Sequence, residues 1–300
     1  LRGVQACVDV CVCTYRRPSV AETLRSIAAQ NGPGLRLRTI VVDNDETEAA
    51  RAGVLETAEA LGLACRYIHA PMHNISIARN AALETADAPL IAFIDDDEIA
   101  TPGWLAALIA RQLQTGAPIV LGPVKALYGP EPRWLAQADL HSVRPVIRPG
   151  GVIDTGYSCN VLLDRAAMTA AMRALRFDPE FGRSGGEDTL FFHRLHRLGG
   201  RIDFAPDALV HEAVPLQRGC LGWLLRRSFR RGQTHARVLV EQGRGKPWLL
   251  ALAAAKCGFC ALGTIGRAAS APRWRAYAVR TALHAGVFSR LIGLNEPRLY

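Results

Sequence analysis

Leu90-Ile91-Ala92-Phe93-Ile94-Asp95-Asp96-Asp97-Glu98 is the stretch that decides the fold of this chain. Its five apolar residues carry no charge and read as a strand buried on both faces, the pattern of a parallel sheet. Four consecutive carboxylates follow, and Thr101-Pro102 then predicts the start of a helix. Adjacent acids repel one another. A divalent cation at the carboxyl end of the strand would relieve them, and crevices at strand ends are where open α/β sheets bind ligands. A solvated acidic turn capping the next helix accounts for the same residues without a ligand.

Working outward, the same alternation recurs on both sides. Val8 to Cys13 reads as a first strand ending at Thr14-Tyr15-Arg16-Arg17-Pro18. Ser19-Val20-Ala21-Glu22 has the spacing of a capping box, and Asn31-Gly32-Pro33-Gly34 stops the helix it opens. Leu37 to Val42 is a second strand, closed by Asp43-Asn44-Asp45; Glu46 to Leu61 is helical, Cys65 to His69 a third strand and Asn74 to Thr85 a helix. After the central strand come a helix from Trp104 to Gln114 and a strand from Pro118 to Leu121. Such alternation with short connections predicts a doubly wound, mostly parallel sheet flanked by helices. Right-handed crossovers return the chain to one edge each time, which places Asp43 and Asp95–Asp97 together.

Beyond Leu121 the pattern lapses into a Pro-, Trp- and Arg-containing stretch, Gly122 to Gly151, long enough to be a functional loop. Ser158 to Leu163 resumes as a strand, with Asp164 opening a short helix. Gly182 and Gly185-Gly186 then lead into Glu187-Asp188 at the start of a helix reaching Leu198. Acids are favoured at helix N-termini for purely structural reasons, so chemistry and capping both fit that pair. A strand near Ile202–Phe204 and Ala208-Leu209-Val210 before His211 complete this part.

The charge is unevenly placed. Residues 216–300 hold 15 Arg+Lys against Glu241 and Glu296, a balance of +13 within a total of +9. The first 215 residues therefore form a mildly acidic body, and the basic tail calls for an anionic partner such as phosphates or anionic lipid. Within it Trp223 to Val240 carries five Arg, Trp248 to Ile265 is apolar apart from Lys256, and Trp274 to Leu294 mixes bases with an apolar stripe. The Trp248 segment is short for a membrane span and its Lys is costly in hydrocarbon, so a helix lying in the bilayer interface or packed on the body is expected. Eight Cys show no disulfide framework, and Cys257-Gly-Phe-Cys260 lacks a second pair at zinc-site distance. No basic start followed by a long apolar run precedes the first strand, and a reducing cytoplasm fits the thiols.

Taken together, Val-Cys-Thr-Tyr-Arg-Arg-Pro, Val-Val-Asp43-Asn-Asp, Asn74-Ile-Ser-Ile-Ala-Arg79-Asn80, Phe-Ile-Asp95-Asp96-Asp97-Glu and Gly-Gly-Glu187-Asp188 stand in one order over about Val8 to His211. This resembles the family 2 glycosyltransferases of the GT-A fold, most of all bacterial exopolysaccharide enzymes of the succinoglycan glucosyltransferase type. The resemblance implies a GT-A Rossmann-like domain over residues 1–215, followed by a basic, partly apolar helical tail over 216–300. It implies an inverting transfer from a UDP-sugar, such as UDP-glucose, to a lipid-linked saccharide. By the same resemblance Thr14 and Arg16 lie beside the nucleoside, Asp43 accepts the uracil imide hydrogen, and Arg79 reaches the diphosphate or the ribose. Asp95, Asp96 and Asp97 make the Asp-x-Asp element. Asp95 and Asp97, spaced by two, share a direction along extended backbone, where one can take the ribose and the other a Mn²⁺ or Mg²⁺ ion on the phosphates. His211 stands where related enzymes often carry a metal ligand, and Arg218 could steady a diphosphate. Asp188 is the expected base with Glu187 on a sugar hydroxyl, although the two roles could be exchanged.

Some features depart from relatives and limit the reading. The Gln-x-x-Arg-Trp signature of processive synthases is missing; Gln217-Arg218 and Trp223 keep only part of it, which favours addition of a single sugar. Transfer to polyprenyl phosphate, whose oxygen is already anionic, would need no base and so fits Glu187-Asp188 less well. A Rossmann dehydrogenase would need a Gly-x-Gly-x-x-Gly turn where Thr14 to Pro18 stands. A non-enzymatic membrane- or nucleic-acid-binding module is the reading of another class, but the acidic body would repel a polyanion and no nucleic-acid motif is present. The expected location is cytoplasmic, peripheral on the inner face of the membrane. Oligomeric state is not legible.

Overall fold

The computed structural model describes residues 6–129, 132–183, 185–241, 243 and 245–294. Ser184, in the glycine approach to Glu187, lies outside them. By contact the chain falls into two compact units: residues 1–125, 143–182 and 190–212, and residues 126–142, 183–189 and 213–300. Two segments from earlier in the chain therefore group with the basic tail.

The first unit is built on a sheet of seven strands. β1 (Ala6–Thr14), β2 (Leu35–Asp43), β3 (Cys65–His69), β4 (Leu90–Ile94), β6 (Ile119–Leu121), β8 (Asn160–Asp164) and β9 (Ile202–Phe204) run in the order β3-β2-β1-β4-β8-β6-β9. Neighbours are parallel except at β8, which is antiparallel to both β4 and β6. The sheet is thus mostly parallel, as its unbroken apolar runs require. A second, three-stranded sheet joins β5 (Glu98–Ala100), β10 (Val210–Ala213) and β7 (Val124–Leu127) in the order β5-β10-β7.

Alternation along the strands sends side chains to two cores. Val8, Val10 and Val12 of β1 face one core with Val41, Ala92 and Ile94. There they meet Leu24 and Ile27 of α1 (Val20–Ala28), Val54 and Ala58 of α2 (Arg51–Ala60), and Trp104, Leu105 and Leu108 of α4 (Trp104–Thr115). Cys11 faces the other core with Ile40, Ile91 and Phe93, against Ala78 and Ala82 of α3 (Ile75–Thr85) and Phe191, Phe192 and Leu195 of α7 (Glu187–Arg197). Cys11 therefore acts as a small hydrophobe, and burial pushes its thiol pKa well up. Fully buried Trp104 donates its indole N–H to Asn160 Oδ1 at 2.8 Å, satisfying both polar groups.

Several local expectations are corrected. No capping box forms at Ser19: the residue is itself in the αR region within a turn after Pro18, and its hydroxyl caps nothing. The helix expected from Glu46 begins only at Arg51, because Asp45 turns back on its own neighbour, accepting the Glu46 N–H at 2.7 Å. Asp164 closes β8 instead of opening a helix; it caps a turn at Ala166 and Ala167, and the short α6 (Ala170–Ala174) is capped by Thr169. Glu98 to Ala100 is a strand, so the four acids join two sheets and do not lead straight into a helix. The long stretch after Gly122 contains β7 and α5 (Arg133–Ala138).

In the second unit, α10 (Ala271–Leu291) packs against both α8 (Leu221–Glu241) and α9 (Lys246–Gly266). A small core of Ala236, Leu249, Ala253, Val287 and Leu291 holds them. α8 and α10 approach closely because Gly232 lies on the Leu283 carbonyl and Gly286 on that of Phe229, where any Cβ would overlap backbone. α9 has two unlike faces. Leu249, Ala253, Cys260 and Gly263 are buried, while Trp248, Phe259, Leu262 and Ile265 are 55–74% exposed. It is the one helix among the described residues long and apolar enough to cross a membrane by length and composition.

Candidate active site

The carboxyl ends of β1, β2 and β4 bring most of the expected site residues to one edge of the first unit. Thr14 ends β1 in register with Asp43, the last residue of β2. The buried Thr14 hydroxyl donates to Asp96 Oδ2 at 2.8 Å, linking the first strand to the acidic run across 82 residues of sequence. Asp43 is fully buried; its Oδ1 accepts the Asp45 N–H at 3.0 Å and its Oδ2 accepts the Tyr67 hydroxyl at 2.6 Å. Burial, and then the bond to Asp43, push the Tyr67 hydroxyl well above its ordinary pKa, so it remains a donor. Each carboxylate oxygen keeps a second lone pair for an incoming N–H.

Arg16 lies in the left-handed region at φ 53° and donates to Asp45 Oδ1 at 2.8 Å. His73, at φ 43°, stacks on Tyr15 with ring centroids 4.4 Å apart. Two non-glycine residues in this costly conformation stand close together, since Tyr15 adjoins Arg16 and stacks on His73, and such strain clusters at functional sites. Arg79 is buried on α3 and reaches Asp95 Oδ1 at 3.6 Å. Its helix starts at Asn74, whose side chain accepts the Ser76 and Ile77 N–H groups and donates to the Pro179 carbonyl. Asn80 exchanges two hydrogen bonds with the Phe177 backbone, so α3 also fixes the segment leading toward Gly182.

The acids do different things. Asp95 is half-exposed and its backbone N–H is held by Glu98 Oε2 at 2.9 Å. Asp96 is buried, and burial raises its pKa to about 7 against the opposing pull of Arg17 and Thr14. Glu98 is buried too and is pushed well up by burial and then by the Asp95 charge. Asp97 pairs with Arg17, which also approaches Asp96 at 3.5 Å. A dication would favour the charged forms of this crowded set. Among the described residues, the group with potential ligand atoms within 4.8 Å of one another is Asp95, Glu98 and Cys159. Its two carboxylates suit Mg²⁺ or Mn²⁺, and a thiol suits them poorly. Asp97 and His211 belong to no such group; His211 sits on β10 opposite Ile99 of β5. Arg17, Asp45 and Tyr67 thus join the site without having been given a role from sequence, and Glu98, the last of the four acids, takes the place of Asp97 beside Asp95.

Glu187, Asp188 and Arg218 belong to the second unit. Gly185 and Gly186 have φ of +82° and +93°, and a Cβ on Gly186 would overlap Thr234, whose hydroxyl bonds the Gly185 carbonyl at 3.2 Å. The glycines so turn the chain into α7 with Glu187 buried and Asp188 half-exposed in the first turn. Asp188 Oδ1 accepts the Thr189 N–H at 2.6 Å, which orients the carboxylate. Arg218 lies in a 3₁₀ turn, Leu216–Gly219, with its guanidinium 5.9 Å from the Trp223 ring. Its carbonyl is bonded by His141 Nε2 at 3.1 Å.

This edge of acids lies within the span matched by the model of "Glycosyl transferase family 2", residues 9–170. The chain belongs to this family. As a family 2 glycosyltransferase it is 49% identical over 297 residues to the succinoglycan biosynthesis protein ExoM of Rhizobium meliloti (strain 1021), covering 98% of this chain and 95% of that protein. A glucosyl-dolichyl phosphate glucuronosyltransferase of Haloferax volcanii is 26% identical over 243 residues, 75% of each chain. Among solved structures, the mannosyltransferase PcManGT from Pyrobaculum calidifontis, in complex with GDP-Man and Mn²⁺, aligns with a TM-score of 0.60 at 21% identity. That alignment covers 93% of this chain and 86% of PcManGT, and it shares the GT-A fold.

Proposed function

We propose that this glycosyltransferase moves one sugar, with inversion, from a UDP-sugar to a lipid-linked saccharide in exopolysaccharide synthesis. The observation that carries the reading is the junction of Thr14, Asp43, Arg79 and Asp95–Asp97 at the ends of three adjacent strands. Asp43, oriented by Tyr67, is the acceptor for an imide N–H, and Arg16 and Tyr15 flank it. Arg79 and Arg17 supply positive charge for a diphosphate. Asp95 with Glu98 or Asp97 would hold a divalent cation, which stabilises charge on the departing nucleoside diphosphate when bound. His211 is the remaining candidate ligand, and Asp96 fixes Thr14. Asp188 takes the proton of the acceptor hydroxyl as its oxygen displaces the diphosphate, and Glu187 holds a neighbouring hydroxyl.

ExoM by its name serves succinoglycan synthesis, and the Haloferax enzyme's name joins a lipid-phosphate-linked sugar to a glycosyl transfer. The second name supports an acceptor already carried on lipid. The exposed apolar face of α9, beside Lys246, Lys256 and Arg267, supports a peripheral place on an anionic membrane, on the cytoplasmic side. A panel of UDP-sugars assayed with a lipid-diphosphate oligosaccharide tests the reading. Transfer from one UDP-sugar with an inverted linkage is the expected result; activity only with other nucleotide sugars, or only onto polyprenyl phosphate, would overturn it.

A further inference from the structure

The sulfur beside the acidic run has no part in the donor chemistry above, and strand register puts it there. β4 and β8 pair antiparallel with Ile94 opposite Asn160, so the next residues on the two strands are Asp95 and Cys159. Side chains opposed in this way stand about 5 Å apart at Cβ. Glu98 closes the group from β5, its Oε2 already holding the Asp95 N–H. One ligand atom from each of Asp95, Glu98 and Cys159 lies within 4.8 Å of the others. The thiol stands on a fixed support. Its neighbour Asn160 is fully buried, accepting the Trp104 indole N–H and donating to the carbonyls of Pro123 and Ala208. Two residues before the thiol, the Tyr157 hydroxyl donates to the Gly122 carbonyl at 2.7 Å.

The charge this group calls for is positive. Glu98 is 2% exposed and stands directly opposite Glu212 across the β5–β10 pair. Asp95 and Asp97 add to the negative field on it. Buried carboxylates that face other acids are costly, and coordination to a cation offsets that cost. The donor set then selects the ion. Mg²⁺ takes oxygen ligands in a near-ideal octahedron, and Mn²⁺ also favours oxygen. A thiolate with two carboxylates suits Zn²⁺, which binds sulfur and oxygen in tetrahedral sites, and three protein ligands leave its fourth position open. Mn²⁺ also stands lowest in the affinity order of first-row divalent ions. Asp95 and Cys159 are both half-exposed, so an ion can enter from solvent.

We propose that Asp95, Glu98 and Cys159 form a thiolate-containing cation site that prefers Zn²⁺ to Mn²⁺, with Cys159 setting the preference, resting on the divalent cation assigned to Asp95 in the preceding section. The thiol proton leaves for solvent as the sulfur–metal bond forms. Co²⁺ reports on that bond, because thiolate sulfur on Co²⁺ absorbs strongly in the near ultraviolet and oxygen ligands alone do not. Titrating the full, reduced chain with Co²⁺ should raise this band. Zn²⁺ should then remove it at concentrations about tenfold or more below those Mn²⁺ requires. Cys159→Ser should abolish the band and weaken Zn²⁺ about tenfold or more, while Mn²⁺ affinity changes less than about threefold. A double variant, Cys257→Ser with Cys260→Ser, should keep the band, which separates the site from the other closely spaced thiols. In the unaltered chain Zn²⁺ should also slow alkylation of Cys159, read by peptide mapping. A band that survives in folded Cys159→Ser, an unprotected Cys159, or Mn²⁺ displacing Co²⁺ as readily as Zn²⁺ would overturn the site. If Zn²⁺ takes the sulfur while no cation alters UDP affinity, the thiolate site stands and the cation's place on the donor falls. If Mn²⁺ tightens UDP binding through Asp95 while no ion contacts sulfur, the donor cation stands and the thiolate site falls.

Discussion

Arginines of the two units keep different company, although Arg16, Arg51 and Arg79 of the first also lie over rings. In the first, guanidiniums meet carboxylates: Arg16 with Asp45, Arg17 with Asp96 and Asp97, Arg38 with Asp9 and Asp87, and Arg111 with Asp203. In the second they lie on rings: Arg218 and Arg227 on Trp223, Arg275 on Trp134 and Trp274, Arg267 and Arg280 on Tyr277. An ion pair neutralises the charge it orients. A ring orients the charge without itself neutralising it. The first arrangement ties the acidic floor to basic partners; the second lies in the part of the chain with the surplus of bases.

Asp188, the base proposed above, is the sharpest break in that contrast, an acid in the cationic unit. Asp188→Asn should lower kcat about 10²- to 10⁴-fold, the usual worth of a positioned base. Donor KM should change little. Initial rates over a donor series check this, and near-normal turnover would shift the role to Glu187 or elsewhere. Next in size are the acids of the floor. Asp95→Ala or Asp97→Ala should weaken metal-stimulated UDP-sugar binding about 10- to 100-fold, as loss of a ligand or its neighbour commonly does. Titrations with and without Mn²⁺ separate the two, and the ligand-atom geometry predicts the greater loss for Asp95.

The tail sharpens the contrast from the other side. A chain ending at Gly245 should no longer co-sediment with anionic vesicles. The intact chain should be released as salt rises, since charges held on rings near the surface are worth about 1 kcal/mol each and are screened. Persistent sedimentation of the shortened chain would remove α9 and α10 from the membrane. A smaller effect belongs to Tyr67→Phe. It removes one hydrogen bond to Asp43, worth about 0.5–1.5 kcal/mol, and should raise the donor Kd roughly 2- to 12-fold without touching kcat.

What could be read in advance follows the same division. The strand at Leu90, the acids behind it and the alternation on both sides carry periodicities of two and 3.6, and these are local signals. They were enough to bring Asp43 and Asp95 to one edge. Arg17 and Tyr67 escaped because their partners are 80 and 24 residues away through strand register and side-chain reach, which spacing does not encode. Ser19 had the letters of a cap, but its backbone is αR and its hydroxyl caps nothing. A cavity lined by Tyr128, just after β7, and Arg275, on α10, was illegible for the same reason, since it joins distant parts of the sequence.

The mildest test concerns His141, where a ring holds neutral charge and not a cation. It is buried against Trp223 and Tyr128, with Nε2–H donated to the Arg218 carbonyl and Nδ1 buried without a hydrogen bond. Burial pushes its pKa from 6.5 down to about 4, and the Arg227 charge adds to the shift. An unfolded chain takes up the proton near 6.5 while the folded one refuses it until about 4. Above 6.5 both forms are neutral and pH has no effect through this group. Between those values unfolding draws in a proton, so stability falls as pH falls; below about 4 the loss is complete. Melting temperatures should therefore decline from pH 7 to 4.5, and His141→Phe should flatten that decline by the share this imidazole carries. A variant that keeps the full slope would assign the acid sensitivity to the ion pairs of the first unit, reversing the contrast between the two at this one residue.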